Sequence, residues 1–208
     1  MRSSGRRLSR LREVIRLATP IGHALAGYSV YLVSEAGHDA RHGDMYKLVL
    51  LSIFLAVAPD LDFVPGLLLG MPAIYHQGIT HSLGAALFVG LAVATYCQSK
   101  GQNFYRILRL CFLSYISHPI IDFFGPDGRL PYGVPLFWPL SNEHFLSPVP
   151  LFWGMHHAGS TYGSTLEWIS GIISPHNILA VLVEVVWIMP FVLIARRHAR
   201  RENRRQTT

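Results

Sequence analysis

The stretch Lys47-Leu-Val-Leu-Leu-Ser-Ile-Phe-Leu-Ala-Val-Ala58, followed by Pro59-Asp60-Leu61-Asp62, decides the fold. The run is apolar but too short for a straight bilayer crossing, which needs roughly 20 residues. It resumes over Phe63–Met71 after Pro59, Asp60 and Asp62 interrupt it. Short or broken helices are tolerated at membrane depth where they line a cavity or pack on protein. The acids at the break are therefore expected to face inward.

Four more apolar segments lie at Ile21–Val33, Ser82–Cys97, Ile107–Ser117 and Ile178–Ala195. Half of the residues are hydrophobic and 14% are charged, against roughly 25% charged in a soluble domain. The expected fold class is all-α: an integral membrane bundle of about four to five short helices with a long Pro- and aromatic-rich loop. Its domain spans 18–195. Residues 1–17 read as a basic amphipathic helix on anionic lipid, with Leu8, Leu11, Val14, Ile15 and Leu17 at helical spacing among arginines, or as a solvated basic tail. Residues 196–208 form a basic C-terminal tail. No nucleic-acid-reading motif accompanies the charge, so no nucleic acid is expected as a partner. No apolar core with a cleavage site follows the N-terminal arginines, so a cleaved signal is not expected. Cys97 and Cys111 stand in apolar runs as small buried hydrophobes. Residues 125–177 are too long for an ordinary connection. They carry Val-Pro-Leu-Phe-Trp twice, at Val134–Trp138 and Val149–Trp153. These read as interfacial anchors or as a local duplication without function.

Lysines and arginines collect on the cytoplasmic side of inner-membrane proteins. With both termini inside, Lys47, Lys100, Arg106 and Arg109 also fall inside, and Arg129 alone falls outside. Residues 59–81 and 118–177 then share the non-cytoplasmic face. Ile21–Val33 does not fit, because both its flanks are basic. A re-entrant path, or a basic tail that lies outside, would accommodate it.

The ionisable residues on the shared face form three sets: Asp60 and Asp62 in Pro-Asp-Leu-Asp, His76 and His81 in His-Gln-Gly-Ile-Thr-His-Ser, and His118 and Asp122 in Ser-His-Pro-Ile-Ile-Asp. His118 and Asp122 are four apart and project from one helical face. Ser117 is expected to cap a helix whose second position is Pro119. Gly78 is expected to supply a tight turn and Thr80 to cap the helix near His81, which turns His76 and His81 back towards Asp60. Each residue alone reads as a cap or a satisfied polar group. Three sets at membrane depth, where ionisable groups are costly, read as a functional site. Imidazole with carboxylate suits zinc, manganese or iron better than calcium or magnesium, and the missing thiolates exclude a closed cysteine site.

The order Gly22-His23, Pro-Asp-Leu-Asp, His-x-Gly-x-Thr-His-Ser and Ser-His-x-x-x-Asp, with Trp-Pro-Leu-Ser at Trp138–Ser141, resembles the YdjM-like family. These are bacterial inner-membrane proteins classed as membrane-bound metal-dependent hydrolases, distantly similar to zinc-dependent phospholipase C. The resemblance runs from about His23 to about Phe145. It implies His23, Asp60, His76, His81, His118 and Asp122 as metal ligands and a divalent transition metal, zinc first, then manganese or iron. The family has Arg where this chain has Gln77, so substrate recognition is expected to differ. Asp62 is expected to orient a ligand or act as a base, and Arg129 to stabilise a phosphate-like transition state, unless it is a surface residue of the Asp-Gly-Arg turn. Membrane lipid is the expected surrounding, and a phosphoester or ester of a lipid or envelope precursor the expected substrate. A non-enzymatic metal staple and a transport or proton-relay protein, with Glu184 as the intramembrane acid, are the rival readings. His144, His156, His157 and His176 match no metal motif.

Overall fold

The computed structural model describes residues 16–206 apart from 37, 39–41, 72–73, 129, 157–165 and 167–171. Its helices are α1 (Pro20–Ser34), α2 (His42–Val57), α3 (Phe63–Leu68), α4 (Leu83–Gln98), α5 (Phe104–Phe123) and α6 (Pro175–Gln206). A 3₁₀ turn, Ala58–Asp62, joins α2 to α3, so Pro59 and the two acids tighten one long helix without ending it. A two-residue strand pair, Arg16–Leu17 with Met155–His156, is the small non-helical addition. The expected all-α bundle is therefore present.

Two helical runs are long and apolar enough to cross a bilayer, Asp44–Leu68 and Pro175–Gln206, and only 28% of each apolar window is buried in the bundle. Phe54, Phe88, Val186 and Phe191 are accordingly exposed. A surface this rich in large apolar groups needs lipid against it.

The bundle has two cores. Leu55, Ala86, Ala94, Ile107, Cys111 and Tyr115 fill the space among α2, α4 and α5. Ala18, Ile121, Phe152, Ile188 and Val192 fill that among α1, α5 and α6. Small residues permit close approach where apolar burial gives no driving force. A Cβ at Gly27 would stand 2.6 Å from the Ser52 carbonyl of α2.

Several local expectations need correction. α5 does not begin at Ser117; it runs through Pro119, and the Ser117 hydroxyl donates to the Ser114 carbonyl at 2.7 Å. Ser82, not Thr80, caps α4, accepting from the Ala85 amide at 3.1 Å. The left-handed residue of the 76–81 loop is Gln77, at φ 59°, not Gly78. Ile21–Val33 is an ordinary bundle helix, and the basic residues after Ala195 continue α6 to Gln206. Residues 1–15 lie outside the described residues, and Arg16–Leu17 of the expected amphipathic helix are strand. The two Val-Pro-Leu-Phe-Trp copies are not equivalent. Val134 is fully buried and Phe137 exposed, whereas Val149 is exposed and Phe152 buried.

Helix order fixes the two ends. α1, α4 and α6 start at the end where α2 and α5 finish their last turns, and the Arg16–Leu17 strand joins this end by pairing with Met155–His156 of the 125–177 loop. At the other end Arg106 of α5 pairs with Glu35 after α1, and Ala195 and His198 of α6 stand near Ser34. The described chain thus enters at one end and leaves at the other. Of the described cations, Lys47, Lys100, Arg106, Arg109, Arg196, Arg197, Arg200, Arg201, Arg204 and Arg205 lie towards the far end, and Arg16 alone lies at the entry end.

Candidate metal centre

The entry end gathers the three sequence sets. The 3₁₀ turn carries Asp60 and Asp62, a second 3₁₀ turn at Ile79–His81 carries His81, and the last turns of α5 carry His118 and Asp122. His23 joins them from the first turn of α1, just after the Thr19 cap. His23, His81 and His118 are at most 1% exposed, and His76 and Asp122 are also buried. The Asp60 side chain, at 21%, is the most accessible of the set.

Four atoms form the centre. His118 Nε2 lies 3.1 Å from His81 Nε2, 3.3 Å from Asp60 Oδ1 and 3.2 Å from Asp122 Oδ2. His81 Nε2 lies 3.7 Å from Asp60 Oδ1 and 3.4 Å from Asp122 Oδ2. A tetrahedral ion with ligands at 2.0–2.1 Å has edges of about 3.3–3.4 Å, and these five separations lie close to that.

Hydrogen bonding at the far sides of the rings explains why. His118 Nδ1 faces the Ala56 carbonyl at 2.8 Å, an acceptor only, so the ring donates there and its Nε2 lone pair faces the centre. His81 Nδ1 faces Asp62 Oδ2 at 3.3 Å and Thr80 Oγ1 at 3.0 Å. The Thr80 hydroxyl donates to Asp62 Oδ2 at 2.8 Å, which holds that carboxylate in place. Carboxylate-to-imidazole contacts of this kind orient metal-binding histidines. With both rings neutral and donating at Nδ1, two ring nitrogens and two carboxylate oxygens converge with no donor among them, an arrangement that suits a positive charge. Burial disfavours the charged form of His81, but its bonds to Asp60 and Asp62 outweigh this and raise its pKa above the ordinary value. Without a metal, protons would meet the same demand.

The remaining residues flank this nest. His23 stacks on His118 at 3.7 Å between centroids and brings Nε2 to 3.4 Å from Asp122 Oδ1. His76 stacks on Phe63, and its Nδ1 lies 2.9 Å from Asp62 Oδ1 and 3.7 Å from Asp60 Oδ1. Three overlapping groups could hold an ion: His23, His118 and Asp122; Asp60, His81 and His118; and Asp62, His76 and His81. All six ligand candidates and Asp62 are thus brought together. Arg129 and His157 lie outside the described residues. His176 faces the Gly154 carbonyl at 3.1 Å, in the 125–177 loop. Glu184 is held by Thr19, whose amide donates to Oε1 at 2.8 Å and whose hydroxyl donates to Oε2. Glu184 therefore secures the start of α1. Thr80 and the Ala56 carbonyl went unread in the sequence. Nothing local marks a carbonyl, and Thr80 stood where a helix cap was expected.

No curated protein and no solved structure matches the chain, and a likeness to zinc-dependent phospholipase C is not shown. The family model described as YdjM inner membrane protein matches residues 19–201, a span that takes in the motif-bearing turns and all of the bundle core except Ala18. The chain belongs to the YdjM family of inner-membrane proteins.

Proposed function

We propose that the protein is a membrane-bound metal-dependent hydrolase whose His81, His118, Asp60 and Asp122 hold a divalent transition metal, zinc before manganese or iron. The observation that carries this is the donor-free convergence of two Nε2 atoms and two carboxylate oxygens at 3.1–3.7 Å. Bound there, such an ion supplies Lewis-acid polarisation of an ester or phosphoryl oxygen and makes water acidic enough to serve near neutral pH. Asp62 is a positioning residue, because its two oxygens are engaged by His76, His81 and Thr80. Asp60 marks the side from which substrate approaches. Leu61, Val64 and Ile79 around it are exposed and apolar, which suits an ester or phosphoester carried on a lipid or envelope precursor. Arg129 is proposed as the cation for an anionic substrate.

We propose that the centre faces away from the cytoplasm, on the ground that the described cations other than Arg16 lie towards the opposite end. A structural staple is the second reading, favoured by how little of the centre is exposed. Hydrolysis of a chromogenic phosphodiester and of phosphatidylglycerol by the zinc-loaded protein separates the two. Turnover lost in Asp60→Asn supports the hydrolase. Zinc-dependent thermal stability without turnover of either substrate supports the staple and overturns the hydrolase reading.

A further inference from the structure

At the end of the bundle remote from the candidate metal centre, two clefts meet on α5. One, about 430 Å³, is lined by His38, Asn103, Tyr105, Arg106 and Arg109. The other, about 340 Å³, is lined by Leu87, Tyr105, Leu108, Arg109 and Phe112. Tyr105 and Arg109 belong to both. A polar, cationic recess therefore adjoins an apolar slot that runs along α4 and α5.

The charges of this recess are arranged against the intrinsic preference of the helix. Arg106 and Arg109 stand in the first two turns of α5, the positive end of its dipole, where anions are favoured and cations are not. The first turn holds no acid. Arg106 is neutralised by Glu35, to which its Nε donates at 2.9 Å. Arg109 has only a neutral partner among the described residues, the Ser34 carbonyl at 2.6 Å. Among the described residues one guanidinium charge is therefore uncompensated beside an open recess, and Lys100 in the preceding loop adds to the field. The slot selects the kind of anion. A water's share of liquid volume is about 30 Å³ and a methylene is of similar size, so the slot accepts a run of about ten methylenes. Tyr105, 79% exposed at the junction, is the amphipathic ring expected where headgroup meets acyl chain.

We propose that these clefts bind an anionic phospholipid, with its phosphate at Arg109 and Arg106 and one acyl chain along Leu87, Leu108 and Phe112. The site is independent of the metal centre and lies in the opposite leaflet. The test is native mass spectrometry of the full chain in mild detergent, with equal amounts of phosphatidylglycerol and phosphatidylcholine carrying the same chains. Wild type should retain phosphatidylglycerol about fivefold over phosphatidylcholine, and Arg109→Gln should remove most of that preference. Leu87→Trp, at a half-exposed position that leaves the core untouched, should lower retention of both lipids. An Arg204→Gln, Arg205→Gln variant should keep the preference. Equal retention of the two lipids by wild type overturns the proposal. So does a preference that survives Arg109→Gln or disappears only with Arg204 and Arg205. Thermal protection by inorganic phosphate equal to that by the lipid would mean a free-anion site and also overturns it.

Discussion

His81 and His118 present their Nε2 atoms to each other at 3.1 Å while Asp62 and the Ala56 carbonyl hold the opposite sides of the two rings. Two lone pairs kept that close repel unless a positive charge lies between them or beside them. Purified protein should therefore contain stoichiometric transition metal, and a His118→Ala, Asp122→Ala double variant should fall to background by elemental analysis. A wild type that stays empty after reloading with zinc would remove the basis for the metal reading.

Asp62 acts through His81 and His76, and its loss should weaken the centre without abolishing it. Asp62→Asn should lower metal affinity by about 10–100-fold. Thr80→Ala leaves the carboxylate in place and deletes one hydrogen bond to it, which costs about 0.5–1.5 kcal/mol. Competition with a chromophoric zinc chelator reads both. Equal affinity in Asp62→Asn and wild type would show that the carboxylate does not orient His81.

Gly84 fixes the Pro- and aromatic-rich loop to the start of α4. Its amide donates to the Trp138 carbonyl at 3.0 Å, and a Cβ there would meet that oxygen at 2.5 Å and Pro139 Cδ at 2.7 Å. Gly84→Val should destabilise the protein by roughly 1–3 kcal/mol, seen as a lower Tm in detergent. An unchanged Tm would mean that the loop yields without cost.

Glu184 tests the proton-relay rival. Glu184→Gln keeps the shape but replaces one of the two oxygens bonded by Thr19 with an amide, and should cost about 1–3 kcal/mol of stability. A relay would instead leave stability unchanged and abolish proton flux in liposomes, so the paired measurements separate the two roles.

The ends of the bundle can be assigned with single cysteines in a background lacking Cys97 and Cys111. A cysteine at Asp127 should react with an impermeant maleimide on intact spheroplasts, while cysteines at Gln102 and Gln206 should be protected. Reaction at Gln102 and Gln206 but not at Asp127 would put the metal centre on the cytoplasmic side.

Much of this was legible because membrane helices announce themselves by uninterrupted apolar runs, and because His118 and Asp122 lie one turn apart. The boundaries were less so. Pro119 reads as a helix start by local preference, yet α5 passes through it, and Ser117 turns its hydroxyl to the carbonyl at Ser114. Thr80 and Ser82 are equal candidates for a cap by composition. Asp62, 18 residues away from Thr80, takes the threonine hydroxyl and leaves the cap to Ser82. The pairings of Thr19 with Glu184 and of Glu35 with Arg106 join residues remote in sequence, for which one chain offers no local signal. The charge rule grouped Lys47, Lys100, Arg106, Arg109 and the α6 arginines, and the helix order puts them towards one end of the bundle. It could not place α1, Pro20–Ser34, because both flanks of that helix are basic.

The donors of the centre are spread from His23 in the first helix to Asp122 in the fifth, and this has a consequence for biogenesis. At roughly 5–20 residues per second, on the order of ten seconds pass between synthesis of the first donor and of the last. Asp60 and Asp62 thus emerge on an apolar hairpin well before His118 exists to meet them. During that interval the early helices carry Asp60 without its His118 partner, a state that lipid tolerates poorly. Membrane insertion of this chain should therefore be cooperative across α5, with truncated chains that end before His118 retained at the translocation machinery or degraded, while chains that extend past Asp122 are released into the bilayer.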